Sequence, residues 1–299
     1  MDMIPNWKRQ CIQYRLKGFT LVELVVVIVI VGIISALGGM IITNHMEGYS
    51  DIRRRTKLVD SAESALRLIQ REVRSAVPNS IQTLNGFEGI SILYAVDGGR
   101  YRTSCPQNRP DCTKNDTLQL NSNGKEKFAT IGKSFSEDAT NQSIIIYNLG
   151  QFAGPAKYNA YNTKGQKNNT FPIEKHKIGK SFENTDLFKI QSQNFPELLK
   201  HAESRFQIMD SQVIYVLETN NDVLKRCEIK EGIIQPKDFN LNNGQCDSVA
   251  EVAEHVKSAN FTYNAGTYTS SGLLTIELTL GKDGERMSLL HQIHVLNTP

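Results

Sequence analysis

Apolar residues follow two rhythms along this chain, behind one block that has no rhythm at all. From Leu24 to Ile42 nineteen residues pass without a formal charge. At about 1.5 Å per residue a helix of that length crosses roughly the 30 Å hydrocarbon core of a bilayer. After the block the rhythm is helical. Ile52, Val59, Ala62, Leu66, Ile69 and Val73 recur at spacings of three, four or seven, with Arg53, Arg54, Lys57, Asp60, Glu63, Arg67 and Arg71 on the other faces. No proline stands between Pro5 and Pro78, so a single helix is predicted from Phe19 through Ala76.

Beyond Pro78-Asn79-Ser80 the period falls to two. The run ISILYAV, then Asp97-Gly98-Gly99 and RYR, predicts a hairpin with Asp-Gly at its turn. Further strands are predicted at SIIIYNL from 143, SRFQI from 204, SQVIYVLE from 211 and DVLKRCEI from 222. The closing pair is the clearest: Leu274, Ile276, Leu278 and Leu280 alternate, GKDGE turns, and Met287, Leu289, Ile293 and Val295 alternate again. A short helix is expected at 249–257, where Ser248 and Glu251 have capping-box spacing. The fold class that follows is α+β. A long N-terminal helix, transmembrane over 19–42 and amphipathic over 43–77, packs on a β-rich antiparallel head of two sheets over 78–299, and residues 1–18 precede it as a leader.

Charge changes the picture only at the front. The net charge of +3 matches the surplus of Lys8, Arg9, Arg15 and Lys17 over Asp2 within the first eighteen residues, which leaves the remainder neutral. The body therefore has no global attraction for nucleic acid, and no nucleic-acid partner is expected. Bases flank the apolar block on both sides, because Arg53, Arg54, Arg55 and Lys57 follow it, so the positive-inside count is tied. Cysteine breaks the tie. Cys11 lies in the leader, whereas Cys105, Cys112, Cys227 and Cys246 lie far beyond the block. Four distal cysteines fit an oxidising compartment, and their intervals of six and eighteen residues do not fit a C-x-x-C zinc site. Of the three possible connectivities the local one is favoured, 105 with 112 and 227 with 246.

Signals for chemistry are sparse. There is no phosphate-binding glycine loop, zinc helix or nucleophile elbow, so neither a cofactor, a metal nor an enzymatic activity is expected. His291 and His294 are three apart on a predicted strand and so point to opposite faces. Residues 155–185 are rich in lysine (Lys157, Lys164, Lys167, Lys175, Lys177, Lys180), and Tyr158, Tyr161 and Phe171 are interleaved where they would stack on bases or sugars. A solvated loop is the plainer reading of that stretch.

One acid stands inside the apolar run. A carboxylate at Glu23 costs about 2 to 3 kcal/mol in lipid unless it has a partner. Cutting the chain between Gly18 and Phe19 supplies one, a free α-amine four residues before Glu23 and on the same helical face. The string Lys-Gly-Phe-Thr-Leu-Val-Glu-Leu resembles the start of type IV prepilins. That resemblance implies cleavage after Gly18 by prepilin peptidase, N-methylation of Phe19 and recruitment through Glu23 into a filament of packed helices. Farther on, GYSDIRRRTKLVDSAESALRLIQREVRSAVPNSI, DGGRYR and the ending HQIHVLNTP are similar to large minor pilins of the mannose-sensitive haemagglutinin (MSHA) pilus and to J-type pseudopilins of type II secretion. Two features depart from the common pattern: the leader is long at eighteen residues, and Met40 occupies a position where many major pilins have proline. The partners implied are prepilin peptidase, other major and minor pilins, the inner-membrane assembly machinery and the lipid bilayer. The location implied is the bacterial inner membrane, crossed once with the head in the periplasm, and then the pilus. The alternatives are a secretion pseudopilin and a tip adhesin or DNA-capture subunit that uses the lysine-rich stretch.

Overall fold

A computed structural model describes residues 18–105, 107–108, 110, 112, 117, 125–131, 142–150, 159–161, 170–175, 187–191, 204–266 and 271–297, without the side chains of 38–47, 125–129, 170–175 and 187–191. One helix, α1, runs Leu21–Arg74, two residues shorter at each end than the proline spacing allows. The chain divides into two compact units, Met1–Arg53 and Arg54–Pro299.

In the second unit the helical stripe becomes the core. Leu58, Ala62, Ala65, Leu66, Ile69 and Val73 are buried, at the spacing that keeps one face of a helix turned inward. Two members of the expected stripe differ. Ile52 is 66% exposed and belongs to the first unit, and Val59 is only half-buried, its neighbour Leu58 and then Ala65 holding the inward positions. The helix ends in tightened turns, with the N–H of Ser75 donating to Glu72 O and that of Ala76 to Val73 O. Pro78 then forbids further helix, and Val77 N–H donates to Leu93 O, which hands the chain to the sheet.

The described strands are β1 (Gln82–Thr83), β2 (Gly89–Tyr101), β3 (Lys125–Ile131), β4 (Ser143–Ile145), β5 (Thr170–Lys175), β6 (Leu187–Gln191), β7 (Arg205–Glu218), β8 (Val223–Ile229), β9 (Ser248–Glu254), β10 (Val256–Asn264), β11 (Gly272–Lys282) and β12 (Glu285–Val295). They form a nine-stranded sheet in the order β1-β2-β3-β6-β5-β4-β7-β8-β9, in which β2 also pairs with β7, and a three-stranded sheet β10-β11-β12. Every described ladder is antiparallel, so the α+β class stands.

Strand β7 sits at the centre. Val213, Tyr215 and Leu217 face the core shared with the helix and the small sheet, whereas Ile214 and Val216 face a second cluster with Leu84, Cys227, Ile229 and Phe239. Buried on both faces, β7 reads as a continuous apolar run rather than an alternation, and the two strands expected at 204 and 211 are this one strand. The closing hairpin is as expected. Its turn lies at Asp283-Gly284, both at positive φ (50° and 85°), the geometry an Asp-Gly pair favours.

Two expected elements differ. Asp97-Gly98 does not turn, because β2 runs straight through it, paired with β7 and irregular between Tyr94 and Asp97. Asp97 Oδ1 accepts from Gly98 N–H at 2.7 Å, so the aspartate satisfies an irregular ladder in place of closing a loop. The glycine serves close approach: a Cβ there would lie 2.9 Å from Phe206 O. The helix expected at 249–257 is instead strand β9, the corner residue His255 at φ 61° and the start of β10. Ser248, the intended cap, hydrogen-bonds the Glu228 carboxylate at 3.3 Å, and β8 supplies a ladder that outcompetes the local helix preference.

Both local disulfides form, Cys105–Cys112 and Cys227–Cys246. Cys227 is fully buried in the second cluster, where the bridge pins the 230–247 excursion over that face of the sheet. Replacing Cys227 and Cys246 together by serine is expected to lower head stability by about 3 kcal/mol. The Cys105–Cys112 bridge, both of whose cysteines are only half-buried, should tolerate the same change with less loss. Denaturant unfolding of the two variants, side by side, checks the order.

Candidate functional site

The first described residues are Gly18, Phe19 and Thr20, outside any regular element just ahead of the helix and exposed. A Cβ added at Gly18 meets nothing within 4 Å, so no packing among the described residues requires glycine there. Thr20 caps the helix. Its Oγ1 accepts from Glu23 N–H at 3.3 Å, while Glu23 Oε2 accepts from Thr20 N–H at 3.5 Å. This reciprocal capping box satisfies two N–H groups at the helix start. The spacing Thr-x-x-Glu announces it, yet the apolar context drew the sequence reading to charge alone. The box engages one carboxylate oxygen, and the group points back toward the residues that precede the helix. A carboxylate at the positive end of the helix dipole is also favoured there.

From Leu21 to Leu37 every large apolar side chain is at least 44% exposed. Among the described residues no helix is long and apolar enough to cross a membrane. The apolar run with described side chains ends at Leu37, about 25 Å of helix, although the sequence stays uncharged to Ile42.

The head holds a second polar constellation that the sequence reading missed. Glu72, 7% exposed on α1, accepts from Tyr215 Oη at 2.5 Å and from Arg226 Nε at 3.0 Å, and Arg226 Nη1 also reaches Glu228 at 3.1 Å. Burial, then Glu72, pushes the Tyr215 phenol well above its ordinary range. Burial pulls the Arg226 pKa down, but the two carboxylates outweigh it and raise it. With every charge partnered, the cluster bolts helix to sheet.

A third group ties distant segments to the chain that follows the helix. Asn79 Nδ2 donates to the carbonyls of Asn148 (2.9 Å) and Asn297 (3.1 Å), and Asn148 Nδ2 donates to Pro78 O at 2.8 Å. Tyr161, one of the aromatics proposed for stacking, is buried. Its hydroxyl lies 2.7 Å from Ser80 O and 3.0 Å from Ser91 Oγ, so it is a core residue and not a binding one. Of the other residues in that proposal, Tyr158, Lys157, Lys164, Lys167, Lys177 and Lys180 lie outside the described residues, as do the side chains of Phe171 and Lys175. Trp7 and Cys11 lie outside them too.

His291 Nε2 is 3.2 Å from Gln70 Oε1, while His294 is exposed on the opposite face of β12. Among the described residues no cluster of three or more His, Cys, Asp or Glu is placed to hold a metal.

The ionisable groups set a pH window for the head. The Lys225 ammonium, hydrogen-bonded to Glu218, lowers that carboxylate, and Arg55, hydrogen-bonded to Glu285, does the same there. Burial raises Glu228, but Arg226 outweighs it and the net shift is downward. Depressed carboxylates stabilise the fold above the unfolded value of 4.5, and that contribution is lost as pH falls through their folded values. Burial pushes Tyr101 up to about 12. A raised tyrosine stabilises below its unfolded value of 10.0, and the contribution is lost as pH rises beyond it. Melting temperature is therefore expected to be level between these limits and to fall on both sides, as a pH series of thermal melts will record.

Comparison with known proteins bears on the first site. A family model, the prokaryotic N-terminal methylation motif, matches residues 15–39. The match takes in Gly18, Phe19, the capping box and the exposed apolar run. No curated protein and no solved structure matches the chain. The chain thus carries a type IV prepilin-like signal, of the kind that supports a membrane-anchored pilin-like protein or pseudopilin and implies processing by prepilin peptidase and assembly with other pilins.

Proposed function

We propose that this chain is a prepilin anchored in the inner membrane by residues 19–42, cut between Gly18 and Phe19, N-methylated on Phe19 and assembled as a minor subunit of an MSHA-type pilus, near the tip. The observation that carries the reading is the methylation motif lying on a capped helix start whose apolar side chains are exposed. Lipid first, and the packed helices of neighbouring subunits later, would cover that surface. Residues 43–77 and 78–299 form the amphipathic half of the helix and the periplasmic head, which acts by assembly and not by catalysis. The similarity of the stretches quoted above to the MshO subunit supports the minor role, and a large head is easier to place at a tip than along a shaft.

Gly18 supplies the test. Because a side chain there meets open space, Gly18→Val should leave head folding unchanged. A peptidase that must draw the backbone close would no longer accept the site. Expressed with prepilin peptidase, the wild-type chain should lose the leader and with it Trp7, the only tryptophan, while the valine variant keeps both. Equal processing of the two would refute the assignment of the cut.

A further inference from the structure

Strand β9 is the last strand of the nine-stranded sheet and, among the described residues, pairs with one neighbour, β8. Along it runs a cleft of 610 Å³, walled on one side by Lys57, Leu58 and Ser61 of α1 and on the other by the unbroken stretch Glu251–His255. Successive side chains of a strand point to opposite faces. The ladder skips Val252, but Ala253 and Glu254 beyond it still face opposite ways, so consecutive residues share this cleft because it follows the edge of the strand. Among the described residues the cleft is thus bounded by the backbone edge that β8 leaves unpaired, as far as His255, whose carbonyl accepts from Gly281 N–H.

The size suits one occupant. A strand takes about 3.3 Å of rise, 4.8 Å of width and 10 Å of height per residue, so 610 Å³ holds about four residues of added strand. The edge it would pair with is of matching length. Charge selects the sequence. Ser248–Glu254 carries Glu251 and Glu254, both exposed, and no base, while the bases of the cleft, Arg54, Lys57 and Lys282, stand on its other walls beside Asp283. Like charges directly opposite one another destabilise a ladder and opposite charges support it. A second copy's β9, set in register, would place Glu251 against Glu251. On the helix wall, Lys57 and Ser61 are donors suited to the carbonyls that an added strand leaves on its far edge.

We infer that the β9 edge is a docking site for an extended segment of a different protein chain, which adds as a strand with lysine or arginine opposite Glu251 and Glu254 and small apolar residues between. This holds whether or not the chain enters a pilus.

The test places a benzophenone-bearing residue at Val249, Ala250 or Glu251, all exposed, in the full chain expressed in its own cells, with Leu290 on β12 as control. Strand addition predicts adducts from all three positions to successive residues of one short segment of one other chain, and no such adduct from position 290. Glu251→Lys with Glu254→Lys should lower the yield at least tenfold. Retention of the Cys227–Cys246 bridge certifies folding, and the paired glutamine variant, which should lower the yield less, repeats the measurement if the lysines disturb it. Absence of adducts would make the bulge and glutamates a guard against pairing and overturn the inference. Adducts only to a second copy, adducts from one face alone, or yields indifferent to charge reversal would overturn it as well.

Discussion

Glu72→Ala is expected to cost the head about 3 kcal/mol, the largest loss from any single side chain outside the apolar core. The substitution leaves Arg226 and the Tyr215 hydroxyl in a mostly buried site with their shared acceptor gone. Removing one member of a buried pair costs more than the pair contributes, because the remaining charge stays desolvated. Arg226 keeps Glu228, which places the figure at the lower end of the usual 3 to 5 kcal/mol. At about 2 to 4 °C per kcal/mol for a domain of this size, the melting temperature should drop by roughly 6 to 12 °C. Tyr215→Phe should cost about 2 kcal/mol, the worth of a hydrogen bond to a charged acceptor. The double variant should cost less than the two single losses together, since both remove the same contact. Full additivity would mean that the Tyr215 hydroxyl and Glu72 contribute nothing through one another.

The other large effect concerns Glu23 and assembly. The capping box makes the choice of variant decisive. Glu23→Val removes charge and cap together, whereas Glu23→Gln keeps a side chain able to close the box and removes only the charge. If the carboxylate serves to neutralise an α-amine on Phe19, glutamine should fail to incorporate as fully as valine does. Glu23→Asp, with charge kept and reach shortened, should incorporate partially. Cleavage, membrane insertion and head folding should survive in all three, and insertion of the neutral variants should improve, because about 2 to 3 kcal/mol of charge burial is gone. The readout is the ratio of subunit in sheared filaments to subunit in membranes at matched expression. Wild-type incorporation of the glutamine variant would reduce Glu23 to a helix cap.

Local signals and long-range ones fared differently in this chain. The stripe from Ala62 to Val73 and the hairpin at Asp283-Gly284 were legible because a helix face and a two-residue turn are decided within a few residues. Asp97-Gly98 carries the same turn signal and was misread, since the partner that holds it straight, Phe206-Gln207 on β7, lies more than a hundred residues away. Ser248–Glu254 has helix-forming composition, and only the neighbouring β8 ladder makes it a strand. Tyr161 resembles a surface aromatic among lysines, because nothing nearby reports that its hydroxyl donates to Ser80 O and lies in hydrogen-bond contact with Ser91 Oγ. The Glu72–Tyr215–Arg226 cluster joins positions 143 and 154 apart, a pairing no spacing rule reaches. At the helix start the motif was readable as a whole. Only the role of Thr20 is hidden, since an acid in an apolar run signals charge more strongly than a cap.

The most direct measurement is the intact mass of this chain recovered from sheared surface filaments. The polypeptide expected there begins at Phe19, carries one added methyl group, retains both head disulfides and lacks Trp7 and Cys11. A filament-borne chain that still begins at Met1, or one cut elsewhere than between Gly18 and Phe19, would contradict it.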